Sequence, residues 1–271
     1  MRLRHQVELT PLPRAWVEDL FRTAQQTFRE IEERDGSLSL DGQPVTVARL
    51  TEGVHRSPGA LYTLQDENGQ HTSQLRLTAW DLESLRLEVS SAEEGLRMET
   101  KLELLQPRTP RTLRASTLLR GEGSWPLLRS GEVGAVLDLA DWWASAAGLR
   151  KGEDLGPRRA PFQLTFRHHL ARGTASVAVA PGKKGRWQVT VTARLHGRRW
   201  ARPLVPPALR IARTRDRFRT ALDDHAKQWN EQVPALLERP PHELREELRR
   251  ELLGLTPEKS PDAPPPPDTK G

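Results

Sequence analysis

The chain has 271 residues, 36% of them apolar, and no cysteine, which excludes disulfides and thiolate chemistry. No apolar run approaches the ~20 residues of a membrane-spanning helix, and the opening MRLRHQVEL lacks the apolar centre of a secretory signal. A soluble, cytoplasmic protein without a transmembrane segment is therefore the expectation.

Leu3, His5, Val7 and Leu9 alternate with Arg2, Arg4, Gln6 and Glu8, the period of a half-buried strand. Thr10–Pro13 then opens a helical stripe of Trp16, Val17, Leu20, Phe21, Ala24, Phe28 and Ile31, with Gly36 as its expected stop. Hairpins follow. Asp41-Gly42 sits between alternating apolar runs, and Asn68-Gly69 separates strands predicted at Ala60–Gln65 and Gln74–Trp80. Alternation continues through Leu85–Val89, Leu96–Leu104 and Thr112–Leu119, so an antiparallel sheet with one wet face is expected.

Gly121–Gly131 reads as a loop and Val133–Leu149 as a helix. The polar segment Lys151–Pro161 is the best candidate boundary. Strands are predicted at Phe162–His168, Thr174–Ala180 and Arg186–His196, then a long helix over Pro207–Val233. A narrow strip of Leu244, Leu248 and Leu252 marks another helix at Pro241–Leu253, expected to dock on its own chain, with capture of a protein partner as the alternative. The Pro-rich tail cannot build a core. These divisions give an acidic α+β part over 1–150, a basic part over 158–236, an accessory helix over 240–255 and a disordered tail over 256–271. The fold class is α+β, an antiparallel sheet packed on long amphipathic helices.

Charge supplies the first functional reading. From Arg158 to Arg219 there are sixteen Lys or Arg against one acid, Asp216, although the whole chain carries only +6. On the strand 186–196, Trp187, Val189, Val191, Ala193 and Leu195 share one face, and Arg186, Arg194 and His196 lie on the other. Arg167 belongs to the polar side of its own strand, Lys183 and Lys184 occupy a hairpin tip, and Arg198, Arg199 and Arg202 follow. These eight cations suit an anionic partner, nucleic acid first, held by phosphate contacts. The bland alternatives are a solvated surface, or neutralisation by first-half acids such as Asp81, Glu83, Glu88, Glu93, Glu94, Glu99 and Glu103. Arg210, Arg213, Arg215, Arg217 and Arg219 on the long helix have the same two readings.

Eight Trp accompany a single Tyr. Trp16, Trp187 and Trp229 fall on apolar stripes and are expected in the core, whereas Trp200 stands among arginines, where it would suit base stacking. His168 and His169 are adjacent on a strand and point to opposite faces, so they cannot share a metal with His196 without a bulge. No phosphate-cradling glycine loop, nucleophile elbow or metalloprotease motif is present. A binding protein rather than an enzyme is expected, without cofactor or metal.

Element order over roughly residues 1–236, with WQVTVTARLHG at Trp187–Gly197, RPL at Arg202–Leu204 and the helix through Trp229, resembles the START-like, helix-grip (SRPBCC-type) family. That resemblance implies a curved sheet gripping the last long helix around an apolar cavity. Phe218, Leu222 and Trp229 would line the cavity, and an apolar small molecule or lipid would fill it. The family hosts carriers, cyclases and partner-binding modules, so the fold by itself selects no function. The helix at Val133–Leu149 and the surplus strands depart from the family pattern and would need an insertion.

Overall fold

A computed structural model describes residues 1–65, 72–93, 95–121, 130–149, 160–169, 171–197 and 207–255. Asn68-Gly69, Arg198, Arg199, Trp200, Arg202 and the tail lie outside the described residues, as do the side chains of Arg210 and Arg213. The fold is α+β. Among the described residues an eleven-stranded antiparallel sheet is accompanied by a three-stranded sheet and four α-helices.

The chain runs β1 (Arg2–Leu9), α1 (Arg14–Glu30), then the small sheet β2 (Ile31–Arg34), β3 (Ser37–Leu40) and β4 (Gln43–Pro44). There follow β5 (Ala48–Glu52), β6 (Leu61–Gln65), β7 (Thr72–Trp80), β8 (Ser84–Glu93), β9 (Leu96–Leu105), β10 (Thr112–Gly121) and β11 (Ser130–Asp138). Next come α2 (Leu139–Ala146), β12 (Phe162–His168), β13 (Ala171–Pro181), β14 (Trp187–Gly197), α3 (Pro207–Glu238) and α4 (Pro241–Leu252). The large sheet meanders from β5 to β14 in chain order, and β1 closes it by pairing antiparallel to β14.

Period-two alternation is in phase from β8 through β14 to β1, with register shifts at Leu50/Glu52 of β5 and Leu77/Ala79 of β7. Leu104, Leu113, Leu137, Phe162, Val177, Val191 and His5 are successive register partners on one face. The next residue on each strand faces the other way and is mostly polar, as the pleat requires. α1 is about 25 Å long and reaches from one packed region of the apolar face to another. Val17 is buried near its start, and Phe28 near its end packs against a core of Ile31, Leu38, Leu40, Leu50, Tyr62 and Leu77. A second core of Val179, Trp187 and Val189 lies under α2.

Two expectations are corrected. The helix predicted through Ile31 ends at Glu30, because Ile31 pairs with Leu40 and begins β2. Asp35 (φ 51°) and Gly36 (φ 77°) then form the β2–β3 turn, which needs positive φ at both positions. The helix predicted at Val133–Leu149 is strand as far as Asp138. Val133, Val136 and Leu137 fit a helical stripe, Val133, Ala135 and Leu137 fit period two, and pairing to β10 and β12 decides between them. Asp138 caps the short α2 by accepting the Asp141 N–H at 2.8 Å. No described helix is long and apolar enough to cross a membrane.

α4 docks on its own chain. Leu252 and Leu253 pack against the first core, and the Leu252 carbonyl accepts the Thr46 N–H at 3.2 Å. Arg245 donates to both Glu30 oxygens at 2.5 and 2.7 Å, and Arg249 pairs with Asp41 and lies 3.8 Å from Glu30. Gly254, at φ 67°, ends the helix where a side chain would strike Thr46. The Arg245 hydrogen bond outweighs the opposing effect of burial and holds the Glu30 carboxyl below its ordinary value. A depressed carboxyl stabilises the fold above its ordinary pKa and loses that effect as pH falls through the folded value. The pair is partly solvated, so Glu30→Gln should cost about 0.5–1 kcal/mol at pH 7. Thermal melts should show that difference at pH 7 and little of it at pH 3. Truncation before Pro240 should lower Tm, whereas truncation after Leu255 should not.

His55 is buried against Phe28, with Nδ1 3.0 Å from the Tyr62 hydroxyl, which also accepts the Arg56 N–H. Burial, reinforced by Arg56, lowers its pKa below the ordinary 6.5. Below that pH the unfolded chain takes up a proton that the native chain refuses, so stability falls. Melts between pH 7.5 and 5.5 should show Tm declining with acidification, and His55→Gln should flatten the decline.

Candidate functional site

Three register partners on the apolar face, Leu113, Leu137 and Phe162, form the floor of a cavity of about 370 Å³. Asp138 turns the chain out of β11 directly into α2, which sets Leu139, Trp142 and Trp143 beside that floor. Leu12 from the β1–α1 link, Val17 and Phe21 from α1, Trp187 from β14 and Trp229 from α3 complete the lining. Trp142 meets Trp187 edge to face at 5.7 Å between ring centroids.

The polar atoms of these aromatics are directed away from the chamber. Trp229 Nε1 donates to the Thr10 carbonyl at 2.9 Å, and Trp143 Nε1 to the Leu12 carbonyl at 3.4 Å. Arg14 lies over the Trp143 ring, 5.7 Å from its centroid. α3 is clamped to the end of β1 by Asn230, whose Oδ1 accepts the Thr10 N–H at 2.6 Å and whose Nδ2 donates to the Glu8 carbonyl at 2.8 Å. His5 Nε2, 2.7 Å from Asp223 Oδ1, ties β1 to α3 further along. No titratable side chain lines the chamber among the described residues, so what it can hold is hydrocarbon or aromatic surface.

Of the three residues expected at an apolar pocket, Trp229 is in the lining. Phe218 and Leu222 sit half-buried three and two turns earlier on α3 and are not among the described lining residues. Trp142, Trp143, Phe21 and Phe162 are also in the lining, and nothing local in the sequence brings them together. The adjacent pair Trp142-Trp143 was the available signal, since one helix stripe rarely uses two neighbouring indoles.

Among the described residues, the expected cations Arg167, Lys183, Lys184, Arg186 and Arg194 do not form one continuous surface; Arg198, Arg199 and Arg202 lie outside the described residues. Lys183, Lys184 and Arg186 are exposed at the β13–β14 tip, where Lys184 takes φ 52°. Arg194 lies eight residues further along β14, about 27 Å away at strand spacing. Arg167 is exposed on β12 with Glu132 3.5 Å away. Among the described first-half acids, Glu132 lies beside Arg167, while Glu88, Glu99 and Glu103 pair within their own half; Glu94 and the Glu93 side chain lie outside the described residues. Glu103 binds Arg86 at 2.7 Å and Arg114 at 3.0 Å, Glu88 binds Lys101 at 2.9 Å, and Glu99 lies 3.8 Å from Arg120. Burial pushes the Glu103 carboxyl up, but its two arginines outweigh that and leave it below its ordinary value. Two hollows of about 610 and 390 Å³ sit on this paired part of the polar face.

His168 stacks on Phe166 on the apolar side, while His169 Nε2 lies 3.1 Å from Ser130 Oγ. No group of three or more His, Cys, Asp or Glu that could hold a metal ion occurs among the described residues. No protein-family model, no curated protein and no solved structure matches this chain.

Proposed function

We propose that the protein binds an apolar small molecule or lipid chain in the aromatic chamber. The observation that carries this reading is the composition of the lining: eleven apolar side chains, four of them Trp, around about 370 Å³. That volume lies within the range of small-molecule sites, which are mostly apolar and largely pre-formed. Rigid indoles held by backbone hydrogen bonds lose little conformational freedom when a ligand enters, so little of the binding energy is spent on ordering.

The placement of α3 supports a helix-grip arrangement for the site. Its residue Trp229 forms part of the wall, and the strand it clamps, β1, pairs with the last strand of the meander. With no polar group to orient a ligand, the chamber selects by shape and hydrophobicity alone. Specificity between close homologues is then small, on the order of 1–3 kcal/mol per methylene. Nothing in the arrangement assembles a nucleophile, a general base and an oxyanion site, so a carrier or sensing role fits better than catalysis.

Titration with a neutral apolar fluorophore such as N-phenyl-1-naphthylamine should show saturable uptake and quench the indole emission. Affinity should be flat from pH 5 to 9, because no titratable group faces the ligand. Leu137→Phe, which fills the chamber, should weaken uptake at least about tenfold, equivalent to about 1.4 kcal/mol, while Tm holds or rises. Phe218→Ala should leave affinity unchanged. Absence of saturable uptake by the native chain, or uptake indifferent to Leu137→Phe, would refute the proposal.

A further inference from the structure

The polar face of the large sheet arranges its charges in two ways. On β7 to β10 opposite signs alternate across strands: Arg76, Glu88 and Lys101 form one row and Arg86, Glu103 and Arg114 another. Arg97 stands opposite Arg120 there, with Glu99 3.8 Å from Arg120. On β12, β13, β14 and β1 the pattern is different. Arg167 stands opposite Arg172, Arg194 stands opposite Arg2, and Arg4 is the next residue on the same face of β1. Arg167 has Glu132 nearby, but Arg2, Arg4, Arg172 and Arg194 have no ion-pair partner among the described residues. Like charges directly opposite one another destabilise a sheet. An external anion seated on the row removes that penalty.

We infer that Arg2, Arg4, Arg172 and Arg194 form a sequence-independent binding surface for the phosphate backbone of duplex nucleic acid. These four arginines span three adjacent strands, about 10 Å at the ordinary spacing, too wide for one phosphate and suited to more than one. Thr174, Ser176, Thr190 and Thr192 occupy neighbouring positions on the same face, and short hydroxyls donate to phosphate oxygens alongside arginine. All four cations are Arg, whose planar fork can grip a phosphate with two hydrogen bonds.

The same face argues against other occupants. It carries no Trp, Tyr or Phe on β1, β14, β13 or β12, so unpaired bases have no stacking platform. A lipid surface draws basic proteins in with apolar or aromatic insertion beside the charge, and this face offers only Ala178 and Ala180. The row runs across the strands, which places the duplex axis across them and leaves the Lys183–Lys184–Arg186 tip outside the contact. The surface lies on the side of the sheet opposite the aromatic chamber and does not depend on the chamber's function.

Fluorescence anisotropy of the full chain with a labelled mixed-sequence 20-base-pair duplex, from 20 to 200 mM salt, tests this. Four phosphate contacts give log K against log[salt] a slope of about −3 to −4, alike for unrelated sequences. Arg2→Gln/Arg194→Gln should reduce the slope by about 2 and weaken binding at least about tenfold at 50 mM salt. Its Tm should equal or exceed that of the native chain, because a like-charge pair has been removed. Lys183→Ala/Lys184→Ala/Arg186→Ala should bind within about twofold of native. Duplex binding unaltered in the double variant would overturn the inference. So would an equal loss in the tip variant, which would mark diffuse positive charge. Tighter binding to a single strand of the same length, or retention on phosphatidylserine vesicles at a salt concentration that releases duplex, would assign the surface to those partners instead.

Discussion

An eleven-stranded sheet presents an apolar face about 48 Å wide, and an α-helix with its side chains is only about 10–12 Å across. Everything else in this protein follows from how four helices cover a face too wide for any one of them. α1 covers part of it, from Val17 and Phe21 at the chamber to Phe28 on the first core. At the β5–β8 side the small sheet, α1 and α4 close it tightly, with Leu40, Leu77, Ile31 and Tyr62 each no more than 2% exposed. At the β1–β14 side the cover is assembled from pieces distant in sequence: the β1–α1 link, α2 and the C-terminal half of α3. Rigid indoles meet there, and their edges do not interdigitate as aliphatic side chains do. The chamber is the space left between them.

That origin explains the chamber's chemistry. A buried indole needs a partner for its N–H, and the chain provides carbonyls at Thr10 and Leu12, in the link between the first strand and the first helix. Two tryptophans far apart in the chain, Trp143 and Trp229, are therefore fastened to one short segment. Their polar edges are consumed in holding the walls, and their faces line the chamber. A fully apolar, pre-formed site is a by-product of securing α2 and α3 to β1.

The polar face shows the complementary logic. Where strands pair within the acidic half, cross-strand neighbours neutralise each other, as in Arg86–Glu103–Arg114. Where the basic half meets β1, the register sets arginine against arginine. The charge asymmetry of the sequence thus survives folding as a local surface property, because a meander keeps sequence neighbours as spatial neighbours. Only the junction of β1 with β14 brings remote residues together, and it adds Arg2 and Arg4 to a basic region that local sequence had placed elsewhere.

The sequence by itself determined the strand pattern, which face of each strand is apolar, the position of α4 and the concentration of positive charge, because these depend on period, turn chemistry and composition. Phe162–His168 and the Asp41-Gly42 hairpin were legible residue for residue. Val133–Asp138 was not, since Val133, Val136 and Leu137 fit a helical stripe while Val133, Ala135 and Leu137 fit a strand face, and only pairing to β10 and β12 separates the two. Ile31 likewise fits the end of a helix or the start of a strand, and its burial against Leu40 decides. Tertiary structure alone decided the chamber and the arginine row. Leu12, Trp142, Phe162 and Trp229 share a cavity, and Arg2 faces Arg194, through contacts spanning up to about two hundred residues of chain. No local period encodes them; they are set by the packing of helices on a sheet and by the register of its closing strand.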